Sequence, residues 1–292
     1  MNIFKHKNIF FGISLLVLIP NVISLVLFGF KPSIDFVGGS LLEIQVDEAD
    51  TNTDSLHELV SPIYEVRSIT ETSDDRFLIE GVDIPNESKV TALVKLREKY
   101  PKIEELRFES VGPTLSKELL LKTLAALFLV AGIITIYVWR QFDELKYGVC
   151  AILAMFHDSL VLLGSFSLLG YFFDIQVNVL FVTALLTTLS FSVHDTIVVY
   201  DRIRELKRKN RALEYQAIVN TAVLETLSRS INNSVTIVVM LAALALLGGT
   251  TIKWFAVALL IGSITGTYSS TFTAAPLLLL WDEIATKRKL KK

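Results

Sequence analysis

The residues of this chain best placed to do chemistry are His194 and Asp195, adjacent in sequence and set inside an apolar run from Val177 to Tyr200. A charge held in hydrocarbon costs several kcal/mol, so an acid kept there is expected to have a function. A carboxyl that burial disfavours as an anion, and that a nearby cation favours, can load and release a proton as that cation moves. Carrying one charge across 100 mV is worth about 2.3 kcal/mol, enough to bias a conformational cycle. Arg229, which enters the next apolar run from the same side, is the candidate counter-charge.

Other polar residues fall at spacings that matter. Thr188, Ser192 and Asp195 are four and three apart and share one helical face. Thr187 and His194 share the neighbouring face, with Asp201 seven residues beyond His194. At 1.5 Å per residue, Asp195 sits about 9 Å inside the end marked by Asp201. The preceding apolar run carries a second pair, His157-Asp158. Asp158 is about 18 Å past Lys146, near the middle of a bilayer. Arg229, Asn232, Asn233 and Thr236 lie on one face, as do Gly262, Gly266 and Ser270, with Ser263 and Thr267 beside them.

Plainer roles stand beside these. Gly262 and Gly266 read as a close helix contact. Asn232 and Asn233 read as interhelical hydrogen bonders. His157 and His194 read equally well as bundle histidines satisfied by their neighbours. Asp158 reads either as support for a proton path or as a structural tie. The His-Asp pairs have no third or fourth ligand at a suitable spacing, so no metal is expected. No hydrolase triad, phosphate-binding loop or dinucleotide fingerprint is present, so neither an enzyme nor a cofactor protein is expected.

The elements that must hold these residues are membrane helices. Hydrophobic residues make up 52% of the 292, and the mean hydropathy is +0.52. Six runs are long enough to span: Ile9 to Phe30, Leu119 to Val138, Tyr147 to Tyr171, Val177 to Tyr200, Ile231 to Gly248 and Trp254 to Trp281. The first resembles a signal peptide but offers no small-residue cleavage site, so it reads as a retained anchor with a bend at Pro20. Cys150 is the single cysteine and lies within a span, so no disulfide forms within the chain.

Lysine and arginine fix the orientation. Lys5 and Lys7 precede the first span, Arg140 and Lys146 follow the second, and a cluster from Arg202 to Arg211 follows the fourth. Lys287, Arg288, Lys289, Lys291 and Lys292 form the tail. With six spans, all of these fall on one side, which places both termini in the cytoplasm. Basic loops that follow from topology need no nucleic acid to explain them. Residues 31–118, between the first two spans, are expected outside; they hold ten basic and nineteen acidic residues.

That outside segment is long enough for one small domain. Strands are expected at Ser40 to Val46, Tyr64 to Thr70, Arg76 to Val82 and Ile103 to Val111. A turn at Asp74-Asp75 joins the middle pair. Helices are expected at Thr53 to Val60 and from Asn86, as cap, to Tyr100, with Val90, Leu93, Val94 and Leu96 as the apolar positions. The order β-α-β-β-α-β is the ferredoxin-like motif. The remaining divisions are residues 1–30 for the N-terminus and first helix, 119–201 for helices two to four, and 202–230 for a cytoplasmic loop. Helices five and six take 231–281, and the basic tail 282–292. Arg202 to Leu227 lacks Gly and Pro and reads as one amphipathic helix, apolar at Leu213, Ile218, Val219, Val223 and Leu224. It suits either the membrane surface or a docking partner.

Together these residues resemble the SecF family. The resemblance rests on Asp35-Phe36-Val37-Gly38-Gly39 and Val111-Gly112-Pro113, on His157-Asp158, on His194 through Asp201-Arg202 to Glu205, and on Leu227-Ser228-Arg229-Ser230. It covers nearly the whole chain. It implies a proton-driven membrane protein of the resistance-nodulation-division superfamily, in which SecD and SecF form a twelve-helix unit beside the SecYEG channel. That unit uses the proton-motive force to draw exported polypeptide outward after SecA has acted, with YajC and YidC as further neighbours. The resemblance implies proton conduction by Asp195 and Arg229, with an aspartate supplied by SecD. His194 stands where relatives often carry Asn.

The expectation is therefore a six-helix inner-membrane subunit with a small external α+β domain. Two other functions remain open. One is half of a proton-coupled small-molecule exporter, although such exporters carry both halves and much larger external domains in one chain. The other is a non-conducting scaffold subunit.

Overall fold

The computed structural model describes residue 4 and residues 7–47, 51–71, 75–82, 84–142, 144–210 and 212–290. Lys5, Asp74, Arg211, Lys291 and Lys292, used above, lie outside them. The chain forms two compact units, residues 31–125 and the remainder.

In the smaller unit the elements are α2 (Ile34–Val37), β1 (Gly39–Val46), α3 (Thr53–Val60), β2 (Val66–Glu71), β3 (Arg76–Gly81), α4 (Asn86–Lys99) and β4 (Ile103–Val111). The sheet order is β2-β3-β1-β4 with every neighbour antiparallel, as in a ferredoxin-like motif. Alternation along β1 buries Leu42, Ile44 and Val46 in one core with Leu56 and Val60 of α3 and Leu93 and Leu96 of α4. Asn52 caps α3 by accepting from the Ser55 N–H at 2.8 Å. On α4 the expectation is corrected: Pro85 takes the cap position without a side-chain bond, and Asn86 is already helical. Val90 and Val94 face outward, because Ala92, Leu93 and Leu96 form the buried face.

Gly38 and Gly39 join α2 to β1 with φ of +74° and +126°. Those angles suit glycine alone. A Cβ on Gly39 would stand 2.5 Å from the Gly81 carbonyl oxygen. Arg67 Nη1 donates to the Gly38 carbonyl at 2.6 Å, so the turn is also pinned.

The helical unit contains α1 (Lys7–Leu27), α5 (Pro113–Gln141, which begins in the smaller unit), α6 (Leu145–Phe173), α7 (Val179–Lys209), α8 (Tyr215–Leu247), α9 (Thr250–Ser269) and α10 (Ala275–Leu290). A π-helical segment, Ser270–Ala274, links α9 to α10. Six helices are long and apolar enough to cross a membrane, the last running from Ile252 to Arg288. α7 packs on α8 and α9, and α6 packs on α1, α7 and α9. On the α1–α6 contact a Cβ at Gly164 would meet Asn21 at 2.3 Å, and Ser24 donates to Ser167 at 2.8 Å. Small residues there let the backbones approach and bond.

Residues 202–227 do not form the single helix expected. α7 continues past the apolar run to Lys209, and α8 begins at Tyr215. Between them the Leu213 N–H bonds the Asn210 carbonyl at 3.2 Å. Ile218, Val219 and Val223 are buried in the same core as Tyr147 and Tyr200. Apart from Leu213, which is 53% exposed, the apolar face that suggested a membrane surface or a docking partner is packed against the chain itself.

Candidate functional site

α7 begins at Asn178, whose side chain accepts from the Phe181 N–H at 3.0 Å, and it carries Asp195 without interruption between α8 and α9. There Asp195 and His194 line a small cavity of about 30 Å³ with Asn233 and Ser234 of α8 and Ser263, Gly266 and Thr267 of α9. A polar cavity of that size has room for one or two waters. Asp195 is half-buried and His194 is exposed. Ser234 and Thr267 hydrogen-bond across the cavity wall, joining α8 to α9.

Among the described residues, no hydrogen bond or ion pair within 4.0 Å engages the Asp195 carboxyl. Arg229 of α8 is exposed and makes no direct contact with it, yet Arg229 and His194 are the two groups whose fields reach it. Asn232 and Thr236 lie on the exposed face of α8, where the Thr236 hydroxyl donates to the Asn232 carbonyl at 2.9 Å.

Thr188 and Ser192 are not brought to this cavity. Both are buried against α9. A Cβ on Gly262 would lie 2.0 Å from Thr188 Cγ2, and one on Gly266 would lie 3.3 Å from Ser192 Cα. The two glycines therefore serve the contact between α7 and α9. The Thr188 hydroxyl turns back to the Leu185 carbonyl at 2.8 Å, while the buried Ser192 hydroxyl has no partner among the described residues. A shared helical face was legible in the spacing; what stood opposite it was not.

His157 and Asp158 form a separate cluster. Both are buried, at 8% and 4% exposure. His157 Nδ1 lies 3.0 Å from Asp158 Oδ1, and the Ser269 hydroxyl donates to Asp158 Oδ2 at 2.5 Å. Both carboxyl oxygens are thus engaged, and α6 is tied to α9. The other ring nitrogen of His157 is buried without a partner among the described residues. Ser269 was not singled out in the sequence. Its signal was the polar run Ser269-Ser270-Thr271 with Thr273, which interrupts an apolar helix where the π-helical segment begins. That segment is held by Ser14, 2.9 Å from Thr273, and by the Tyr200 hydroxyl, which donates to the Ala274 carbonyl at 2.9 Å. Among the described residues, no three His, Cys, Asp or Glu side chains converge to hold a metal ion.

Comparison with known proteins decides the family. The model of the C-terminal region of the SecD/SecF protein export membrane proteins matches residues 91–284, and that of the SecD/SecF GG motif matches residues 23–50. The chain belongs to the SecD/SecF family. It is 40% identical to the protein translocase subunit SecF of Thermobaculum terrenum, over 97% of this chain and 94% of that one. It is 38% identical to SecF of Anaerolinea thermophila over the same shares. It also resembles the crystal structure of SecDF, a translocon-associated membrane protein from Thermus thermophilus, with a TM-score of 0.87 and 30% identity. The match covers 97% of this chain and 39% of that one. The chain is accordingly a multi-pass membrane protein and an accessory subunit of the Sec translocase.

Within this SecD/SecF-family subunit the motif residues have visible structural work. Gly38 and Gly39 make the positive-φ turn, and Pro113 is the first residue of α5 after Gly112. Asp35 lies in the short α2, where its N–H donates to Ser33. Asp201 pairs with Arg204 at 3.3 Å. Arg202 bonds Glu225 of α8 at 2.6 Å and Glu205 of its own helix, tying the two helices together beyond the apolar run.

Proposed function

We propose that this subunit works with a SecD-like partner to couple the proton-motive force to polypeptide export through a SecYEG-type channel, after SecA-driven translocation. Asp195 is the group that takes and releases the proton, and Arg229 is the cation that favours its charged form when it approaches. His194 borders the same cavity. Asp158 holds α6 to α9 and does not carry the proton. The termini and the basic loops face the cytoplasm, and the sheet unit faces the other side of the inner membrane. The joined SecDF relative supports the choice of partner.

The observation that carries this reading is the Asp195 carboxyl, placed in a polar cavity among three spanning helices with no partner inside 4.0 Å among the described residues. A purely structural acid would be expected to sit bonded, as Asp158 does. The test uses the full chain with its SecD-like partner in proteoliposomes. Asp195→Asn is expected to abolish proton flux and proton-dependent export while the complex still assembles. Undiminished flux in that variant would leave a scaffold role as the better account.

A further inference from the structure

We propose that the Ser234 hydroxyl, aimed by Thr267, is the inward partner to which Asp195 turns when it is protonated. The assignment rests on the reading of Asp195 as the proton carrier, and it names what the neutral form of that carboxyl holds. Ser234 of α8 and Thr267 of α9 line the same cavity as Asp195. Both act on the proton through Asp195 and are positioning residues.

The direction of the hydroxyl chain follows from counting protons. A hydroxyl has one O–H to donate and two lone pairs with which to accept. Thr267 donates its O–H to the Ser263 carbonyl at 2.8 Å, so in its bond with Ser234 it can only accept. Ser234 is therefore the donor of that pair, and its one proton is committed to Thr267. What it still offers to the cavity is a lone pair. Ser234 is buried, at 8% exposure, so the cavity is where that lone pair meets a donor. Other hydroxyls of α8 behave differently. Thr226 and Thr236 donate to the carbonyl four residues back, at 2.9 Å in each case, as hydroxyls inside helices commonly do. Ser234 reaches across to α9 instead.

An acceptor in that place sorts the two forms of the carboxyl. Protonated Asp195 can donate its O–H to Ser234. The carboxylate only accepts, so it would set one acceptor against another. The groups whose fields reach the carboxyl are His194 on its own helix and Arg229 on α8. From α9 the cavity wall is Ser263, Gly266 and Thr267, none of which titrates. Asp158 of α6 is closed by its bonds to His157 and Ser269. One acid thus has a partner for each charge state, and α8 carries both. Arg229 and Ser234 are five residues apart, about 7.5 Å at helical rise. Loading the proton carries the carboxyl from the Arg229 end of α8 toward the interior of the span, and releasing it carries the carboxyl back.

The test is an infrared pH titration of the full chain with its SecD-like partner in lipid vesicles. It reads the carbonyl stretch of a protonated carboxyl, assigned to Asp195 by its loss in Asp195→Asn. An acceptor favours the protonated form, so removing it lowers the pH at which the acid loads. Ser234→Ala should move the midpoint of that band to more acidic pH by about half to one unit, the scale of one neutral hydrogen bond. Ser234→Thr, which keeps the hydroxyl, should leave the midpoint where it is in the wild type. Thr267→Val frees the Ser234 proton and should shift the midpoint in the same direction, but should add nothing in the Ser234→Ala background. The unfolding midpoint of each variant is measured in parallel; a packing role alone would move that and leave the titration in place. A titration unmoved by Ser234→Ala, or a Thr267→Val shift that persists in the double variant, would overturn the proposal while leaving Asp195 as the carrier. If Asp195→Asn removed no band at any pH, both readings would fall.

Discussion

Asp158 and Asp195 each follow a histidine in a long apolar helix, and each is set against α9, yet α9 treats them in opposite ways. Opposite Asp158 it presents the Ser269 hydroxyl, and with His157 this satisfies both carboxyl oxygens. Opposite Asp195 it presents Gly266 and a small cavity, and the carboxyl has no partner within 4.0 Å among the described residues. A carboxyl bonded on both oxygens must break those bonds to change its environment. One that borders a cavity can change partners at little cost. The dipeptide therefore does not determine the role; the helix facing it does.

The sharpest way to break this comparison is to neutralise each acid in turn. Asp195→Asn should lower proton-dependent export by about a hundredfold or more, the scale of a lost proton-transfer group. Asp158→Asn should lower it by less than about tenfold, because an amide oxygen can still accept from Ser269. Export driven by an imposed proton gradient in proteoliposomes reads both. Equal losses would show that the two acids act as one path.

Stability should rank them the other way. Asp158→Ala strips the partner from a buried histidine and leaves the buried Ser269 hydroxyl only the Gly266 carbonyl at 3.2 Å, and is expected to cost about 2 to 4 kcal/mol. Asp195→Ala breaks no bond among the described residues and should cost less than about 1 kcal/mol. Unfolding of the detergent-solubilised chain measures both. A large loss at Asp195 would mean that it too is a tie.

The packing that separates the two sites can be tested directly. Gly262→Val would drive a side chain into Thr188, since even a Cβ would approach within 2.0 Å. Overpacking of this kind costs about 1 to 3 kcal/mol. Gly266→Ala, whose Cβ would stand 3.3 Å from Ser192 Cα, should cost less. If the order were reversed, the α7–α9 contact would not be what keeps Thr188 and Ser192 from the cavity.

What could be read before folding was what periodicity encodes. The strands alternate and the membrane helices are long apolar runs, so the sheet order and six spans were accessible. Three things were not. Helical spacing placed Thr188 and Ser192 on the face of Asp195, but spacing does not reveal that two glycines stand across from them. Ser269 closes the regular helix α9, three residues after Gly266, but spacing does not reveal that Asp158 of another helix stands opposite it. The apolar positions after Tyr215 were correctly amphipathic, but amphipathicity does not specify the surface that covers them. Here it is the core around Tyr147 and Tyr200.

The smallest effect on stability belongs to the histidines, and it isolates what each does. His157 is buried and bonds Asp158, so His157→Gln should cost about 1 kcal/mol. His194 is exposed, and His194→Gln should change stability by no more than about 0.5 kcal/mol. Its ring nevertheless borders the cavity beside Asp195. Its field is one of the two that reach the Asp195 carboxyl. His194→Gln should therefore shift the pH dependence of proton-driven export while leaving the unfolding midpoint in place. His157→Gln should do the reverse. A pH profile unmoved by His194→Gln would reduce His194 to a bystander and leave Arg229 as the one cation that tunes the site.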